Sequence, residues 1–300
     1  IISGKCPDIV LFSNRMPVEC IGDEKSIFVD FYNLIDNDSE INRSDFLEGF
    51  LEKMETKGKL LQLNPCFIIE SKMIKTKYAK GYTSWNSDSF SDIVKNVPEN
   101  MELYIESKNF SKSDIFLNFV DCYQFINKDK SSCNFNSSEF INLLKNIKGL
   151  DVGGTNDAYP GIIRDEGTMI NSFRNDNVLI QNVKIRNLSD FRIYKQVYSD
   201  EASNFIGYIN DNEIRAISHP CQTFGIMANS PNIEGAWDFL KYYMFQEDSL
   251  NEKYFMGLPG YKKIFEKLLN EELINEYKYT FFLPDSLELN EVELHALTDE

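Results

Sequence analysis

The stretch "FGIMANSPNIEGAWDFLKYYMFQ", residues 224–246, decides how the chain is organised. A short apolar run, Phe224–Ala228, is broken by Ser230-Pro231-Asn232 and followed by apolar residues at helical spacing. Ile233, Ala236, Trp237, Leu240 and Met244 share one face of a helix over Ile233–Phe245. Ser230 suits the N-cap, and Pro231 the first helical position, where its missing N–H goes unneeded. Trp237 falls on the apolar stripe and reads as a packing residue. A strand handed directly to a helix is the unit of α/β architecture.

The same unit recurs on the N-terminal side. Strands are predicted at Asp8–Phe12, Lys59–Leu63, Phe67–Met73, Met101–Glu106, Val178–Val183 and Phe205–Ile209. Helices are predicted at Ser44–Thr56, Ser87–Val97, Lys112–Ile126, Asn136–Lys148, Ser189–Tyr198 and Gly260–Leu273. Asn136 serves as a cap with Glu139 three residues later. Residues 149–165, with Gly153-Gly154 and Tyr159-Pro160-Gly161, read as a loop. Strands alternating with helices predict mostly parallel sheets.

At 300 residues the chain exceeds what one core usually supports, so two lobes are expected. With 23 Phe and 15 Tyr it is too aromatic for a disordered polymer. Against 31 Lys+Arg stand 47 Asp+Glu, a formal charge of -16, with no basic cluster to neutralise phosphates. Nucleic acid and anionic membrane surfaces are therefore excluded as partners, whereas a neutral or cationic small ligand is compatible. Six scattered cysteines without a C-x-x-C pair fit neither a zinc site nor a dense disulfide framework. Free, mostly buried thiols are expected.

The sequence shows no constellation for reaction chemistry. There are two histidines, His219 and His295, and no G-x-S-x-G elbow. The run Asp36–Glu40 opens like a calcium loop but has Ile41 where glycine is required and Leu47 where the bidentate glutamate belongs. "VGGTND", residues 152–157, is no phosphate cradle. No catalytic residue, metal site or cofactor is expected. Paired carboxylates of a glycosidase meet only in the fold, so spacing leaves that alternative open.

Several segments, taken together, resemble the family 1 extracellular solute-binding proteins, the ligand-capturing components of bacterial ABC sugar importers. They are "SGKCPDIVLF" (Ser3–Phe12), "GKLLQLNPCFIIESKMIK" (Gly58–Lys75), "GYTSWNSDSF" (Gly81–Phe90), "FINKDKSSCNFNSSEFINLLKNIK" (Phe125–Lys148) and the run from Phe205 to Met244. The likeness covers most of residues 3–265. Cys6 and Ile209 depart from it, standing where glycine- or proline-like residues are usual. Measured against that family, the chain reads as a fragment truncated at both ends. The family's first strand and helix, signal peptide and lipid-attached cysteine would precede Ile1.

The resemblance implies an α/β, two-lobe periplasmic-binding-protein-like fold with mostly parallel sheets and a hinge of crossing strands. One lobe would take residues 1–70 plus 222–262, the other 71–221 plus 263–300. It implies a monomer that captures a sugar in an inter-lobe cleft by hinge closure and hands it to ABC permease subunits. No catalysis is involved, and the full-length protein would be an extracellular, cell-surface lipoprotein. By position in the matched motifs the ligand contacts would be Ser13, Asn14, Arg15, Asn64, Phe67, Lys108, Asn109, Tyr208 and His219. An extracellular glycoside hydrolase or a non-transport carbohydrate sensor is the alternative.

Overall fold

The computed structural model describes residues 7–12, 26–98, 100–104, 111–127, 132–150, 166–187, 190–191, 194, 202–210, 216–245 and 257–274. Its elements run β1 (Ile9–Phe12), α1 (Phe31–Asp36), β2 (Cys66–Lys75), α2 (Ser87–Val94), β3 (Glu102–Tyr104) and α3 (Lys112–Phe119). The paired short strands β4 (Ile126–Asn127) and β5 (Ser132–Cys133) precede α4 (Ser138–Gly149) and α5 (Glu166–Arg174). Then follow β6 (Val178–Ile185), β7 (Ser203–Phe205), β8 (Ile217–Pro220), β9 (Thr223–Ile226), α6 (Ile233–Phe245), β10 (Leu258–Pro259) and α7 (Lys262–Ile274). The chain falls into two units and passes between them within β2, at the end of β6 and within β8.

The first unit draws on described residues of 1–68, 185–188 and 218–275. It therefore includes α7, which the lobe boundaries read from the sequence assigned elsewhere. β1 pairs antiparallel with β9, Ile9 opposite Ile226 and Phe12 opposite Thr223. The start of β2 pairs antiparallel with β10, Phe67 opposite Leu258. The stripe on α6 buries Ala236, Trp237, Leu240 and Met244 against Phe31, Leu60, Leu63 and Ile226. Ser230 Oγ accepts from the Asn232 N–H at 2.9 Å and donates to Asp8 at 2.5 Å, fixing the turn into this helix. Phe46 meets Phe245 and Tyr261 edge-on, each with ring centres 5.6 Å apart, a preferred geometry for aromatic pairs.

The second unit draws on described residues of 69–184 and 189–217. Here β3 pairs parallel with β6, β6 lies beside β2, and β2 pairs antiparallel with β7, Met73 opposite Phe205. Trp85, Phe90, Ile115, Phe119, Leu143, Ile147 and Ile180 form its core. α2 is capped by Asn86, whose side chain accepts from the N–H groups of Asp88 and Ser89. Trp85, just before that cap, is buried and donates Nε1–H to the Gly207 carbonyl at 2.9 Å.

Four expectations change. The sheets are mixed: β3–β6 is parallel, while β1–β9, β2–β10, β2–β7 and β4–β5 are antiparallel. Ser44–Thr56 is not a helix but two short 3-10 turns, at Arg43–Asp45 and Glu52–Met54. Gly49 turns the chain at φ 72°, and Phe46 is extended to bridge Tyr261, so the apolar spacing serves a folded loop. α3 ends at Phe119 because Val120 turns extended and bridges Ile209. The remainder of the predicted segment carries a 3-10 turn at Cys122–Phe125. α4 is capped by Ser137, not Asn136.

Most of the predicted helix Ser189–Tyr198, and residues 151–165 of the predicted loop, lie outside the described residues. Among the described residues, Lys59–Leu63 pairs through isolated bridges, Lys59 to Thr56 and Leu63 to Phe224. Cys66, Cys122, Cys133 and Cys221 form no disulfide among the described residues; of these four Cys66 alone is buried and Cys133 is exposed. Among the described residues no helix is long and apolar enough to cross a membrane.

Candidate functional site

Side chains two apart on a strand share a face. In β2 that places Glu70 beside Lys72, and in β6 it places Asn182 beside Lys184. The strands are neighbours, so four polar groups meet on one patch of the second unit. Lys72, 4% exposed, donates through Nζ to Asn182 Oδ1 and lies 5.1 Å from the Phe119 ring centre and 4.8 Å from that of Tyr208. Two aromatic faces and an amide thus replace water around the ammonium group. Burial still pushes Lys72 down to about 8, against the opposing pull of the Glu70 carboxylate.

The accessible end of the cluster is Glu70 and Lys184. Tyr208 Oη points at Glu70 Oε2 from 3.5 Å, and Lys184 Nζ stands 3.7 Å from Glu70 Oε1. Both distances exceed those of well-formed charge-assisted hydrogen bonds. Lys184 is 52% and Glu70 32% exposed at the side chain, so a ligand hydroxyl or charge can exchange into this contact. The Lys184 N–H donates to Tyr194 Oη at 3.2 Å, which holds the strand end.

Tyr208 is positioned by the turn before it. Gly207 takes φ 77°, a left-handed conformation that glycine adopts without strain, and Ile206 N–H bonds the Lys72 carbonyl at 2.8 Å. Beyond it, Asn210 donates to the Tyr208 carbonyl at 2.7 Å and, through its N–H, to the Trp85 carbonyl at 3.1 Å. Asn210 also lines a cavity of about 560 Å³ with Tyr82, Ser84, Trp85, Asn86 and Asp88. The pocket wall and the charged cluster are therefore tied through one short segment, Gly207–Asn210.

Of the expected contacts, Ser13, Asn14, Arg15, Lys108 and Asn109 lie outside the described residues. Tyr208 belongs to the cluster of the second unit. Asn64 and Phe67 belong to the first, where Phe67 packs on Phe50 with ring centres 5.6 Å apart. Asn64 is buried, and its Oδ1 has no hydrogen-bond partner among the described residues. His219 is half-buried on β8. The sequence placed strands at Phe67–Met73 and Val178–Val183 but pointed to none of Glu70, Lys72, Asn182 or Lys184 as a contact. The signal was present: polar residues two apart inside an apolar run share one face of the strand.

The cluster offers carboxylate acceptors and ammonium donors in fixed places, suited to binding. Among the described residues no group of three or more His, Cys, Asp or Glu could hold a metal ion.

No protein-family model matches the sequence, and no curated protein does. Solved structures do. A periplasmic solute-binding protein of Pectobacterium atrosepticum superposes with a TM-score of 0.57 at 16% identity, over 92% of this chain and 71% of that one. An ABC substrate-binding protein of Listeria monocytogenes, in complex with cycloalternan, gives 0.52 at 12% identity, over 90% and 70%. An ABC-transporter solute-binding protein of Thermotoga lettingae, bound with alpha-D-tagatose, gives 0.52 at 15%, over 90% and 71%. The α/β fold of this chain is that of ABC-transporter solute-binding proteins.

Proposed function

We propose that this protein is the substrate-binding component of an ABC importer and captures a sugar or oligosaccharide without altering it. One observation carries the reading: nine-tenths of the chain superposes on solute-binding proteins, two of them holding a carbohydrate. The Glu70–Lys184–Tyr208 cluster supports it, because hydroxyls need acceptors and donors fixed in direction. The buried Oδ1 of Asn64, which has no partner among the described residues, is an acceptor of the same kind. Ser13, Asn14, Arg15, Phe67, Lys108, Asn109 and His219 remain proposed contacts.

A ligand can shift a conformational equilibrium only through different affinity for its two states, and such a shift is what a permease would read. The protein would act as a monomer outside the cell, held at its surface by a lipid on the full-length chain. Calorimetric titration with mono- and oligosaccharides tests the proposal, with the sugar recovered afterwards by chromatography. Saturable heat with intact sugar is the expected result. Cleaved sugar would favour a glycoside hydrolase, and no heat from any saccharide would remove the reading altogether.

A further inference from the structure

We infer that the ligand of the second unit is an acidic saccharide, a uronate-type sugar whose carboxylate is held by Lys184 beside the Glu70–Tyr208 pair. The inference rests on the sugar-capture reading and narrows it to a substrate class.

Three features of the cluster point this way. First, two ammonium groups, Lys72 and Lys184, flank one carboxylate, Glu70, so these three groups sum to positive within a chain of formal charge -16. Second, neither aromatic ring of the cluster is open for a neutral sugar to stack on. Phe119 is 1% and Tyr208 8% exposed, and the Lys72 ammonium lies over both rings. Recognition at the accessible end must therefore come from charge and hydrogen bonds rather than from an apolar platform.

Third, the Lys184–Glu70 contact is loose. At 3.7 Å, with the Lys184 side chain half-exposed, it is the kind of pair that contributes little and is readily exchanged. A ligand carboxylate would take Lys184 at the shorter distance of a charge-assisted bond. Glu70 would keep the Tyr208 hydroxyl and the field of the buried Lys72, and could accept from a ligand hydroxyl. The carboxylate and hydroxyl of one sugar ring would match that pair of opposite charges.

The test is calorimetry on the whole chain with oligogalacturonate, its methyl ester, and the corresponding neutral galactose oligomer. The ester keeps the shape and removes the charge. The acid should bind at least ~10-fold more tightly than the ester, and Lys184→Gln should abolish that preference. Lys184 is half-exposed, so the variant should melt like the native chain, which a thermal scan checks. Equal affinity for acid and ester, or tighter binding of the neutral oligomer, overturns this inference and leaves sugar capture standing. Preference for the acid that survives Lys184→Gln overturns the assignment to this cluster. Binding of none of the three, or of any other sugar tried, removes the capture reading and the inference together.

Discussion

An ammonium group enclosed by two rings and an amide leaves a mark on the pH dependence of folding. Lys72 titrates at about 8 in the folded chain, against an ordinary value of 10.5. Between those two values the unfolded chain holds a proton that the folded chain does not, so stability rises with pH across the window. Below about 8 the penalty for burying the charge is fully present, at most ~3 kcal/mol. Lys72→Met should flatten that rise, as urea unfolding at pH ~7 and ~10 would measure; equal slopes in variant and native chain would count against the buried charge. Asp38 behaves in the opposite sense. Burial pushes its carboxyl up, but bonds from Lys241, the Glu40 N–H and the Trp237 indole outweigh this and hold it below the usual carboxylate range. Its contribution is present above the ordinary value of 3.8 and is lost as pH falls through the lower folded value. Trp237→Phe deletes the indole donor at 2.7 Å and also leaves a gap in the buried stripe, so it should lower stability by ~2–4 kcal/mol in a denaturant titration.

Elements are decided by contacts that local propensity does not contain. α4 begins where Ser137 Oγ accepts from the Phe140 N–H at 3.2 Å. Ser137→Ala should therefore cost ~1 kcal/mol and Asn136→Ala no more than ~0.5 kcal/mol, read from paired urea melts. The reverse order would restore the cap expected from sequence. Near the strand β10, a methyl group on Gly257 would stand 2.4 Å from Cys221 Sγ and 2.6 Å from the Phe67 carbonyl oxygen. Backbone cannot yield there as a side-chain tip can, so Gly257→Ala should destabilise by ~1–3 kcal/mol by the same measurement. Helices with one unbroken stripe, such as α6, were legible because packing and periodicity agree in them. The Phe46–Phe50–Met54 spacing misled because those side chains fill a core from a folded loop, where Phe46 reaches Tyr261 and Phe245. The end of α3 was invisible because its stop signal is Ile209, about ninety residues away, whose N–H takes the Phe119 carbonyl at 2.7 Å. Within the candidate site, Tyr208 is the one residue that the sequence motif also proposed as a ligand contact. Glu70 and Lys184 were not legible, since they become one feature only when β2 and β6 lie side by side.

At the scale of the whole molecule, local and global charge oppose each other. The chain carries a formal -16, while within the cluster the buried Lys72 and the half-exposed Lys184 outnumber the one carboxylate, Glu70. For an acidic sugar the long-range field therefore repels the ligand that the short-range contacts hold. These two effects differ in their response to salt. The Debye length falls from ~30 Å at 0.01 M to ~8 Å at 0.15 M, so added salt removes the distant repulsion first. Association of oligogalacturonate should then speed up, by ~2-fold or more across that range, because encounter is governed by the field of the entire surface. Dissociation should also quicken, since the half-exposed Lys184 contact is itself screened. A neutral oligosaccharide should show neither change. Stopped-flow tryptophan fluorescence at a series of salt concentrations separates the two rates. An association rate that falls with salt would mean that the ammonium groups steer the ligand from a distance, and the opposition between site and surface charge would then be wrong.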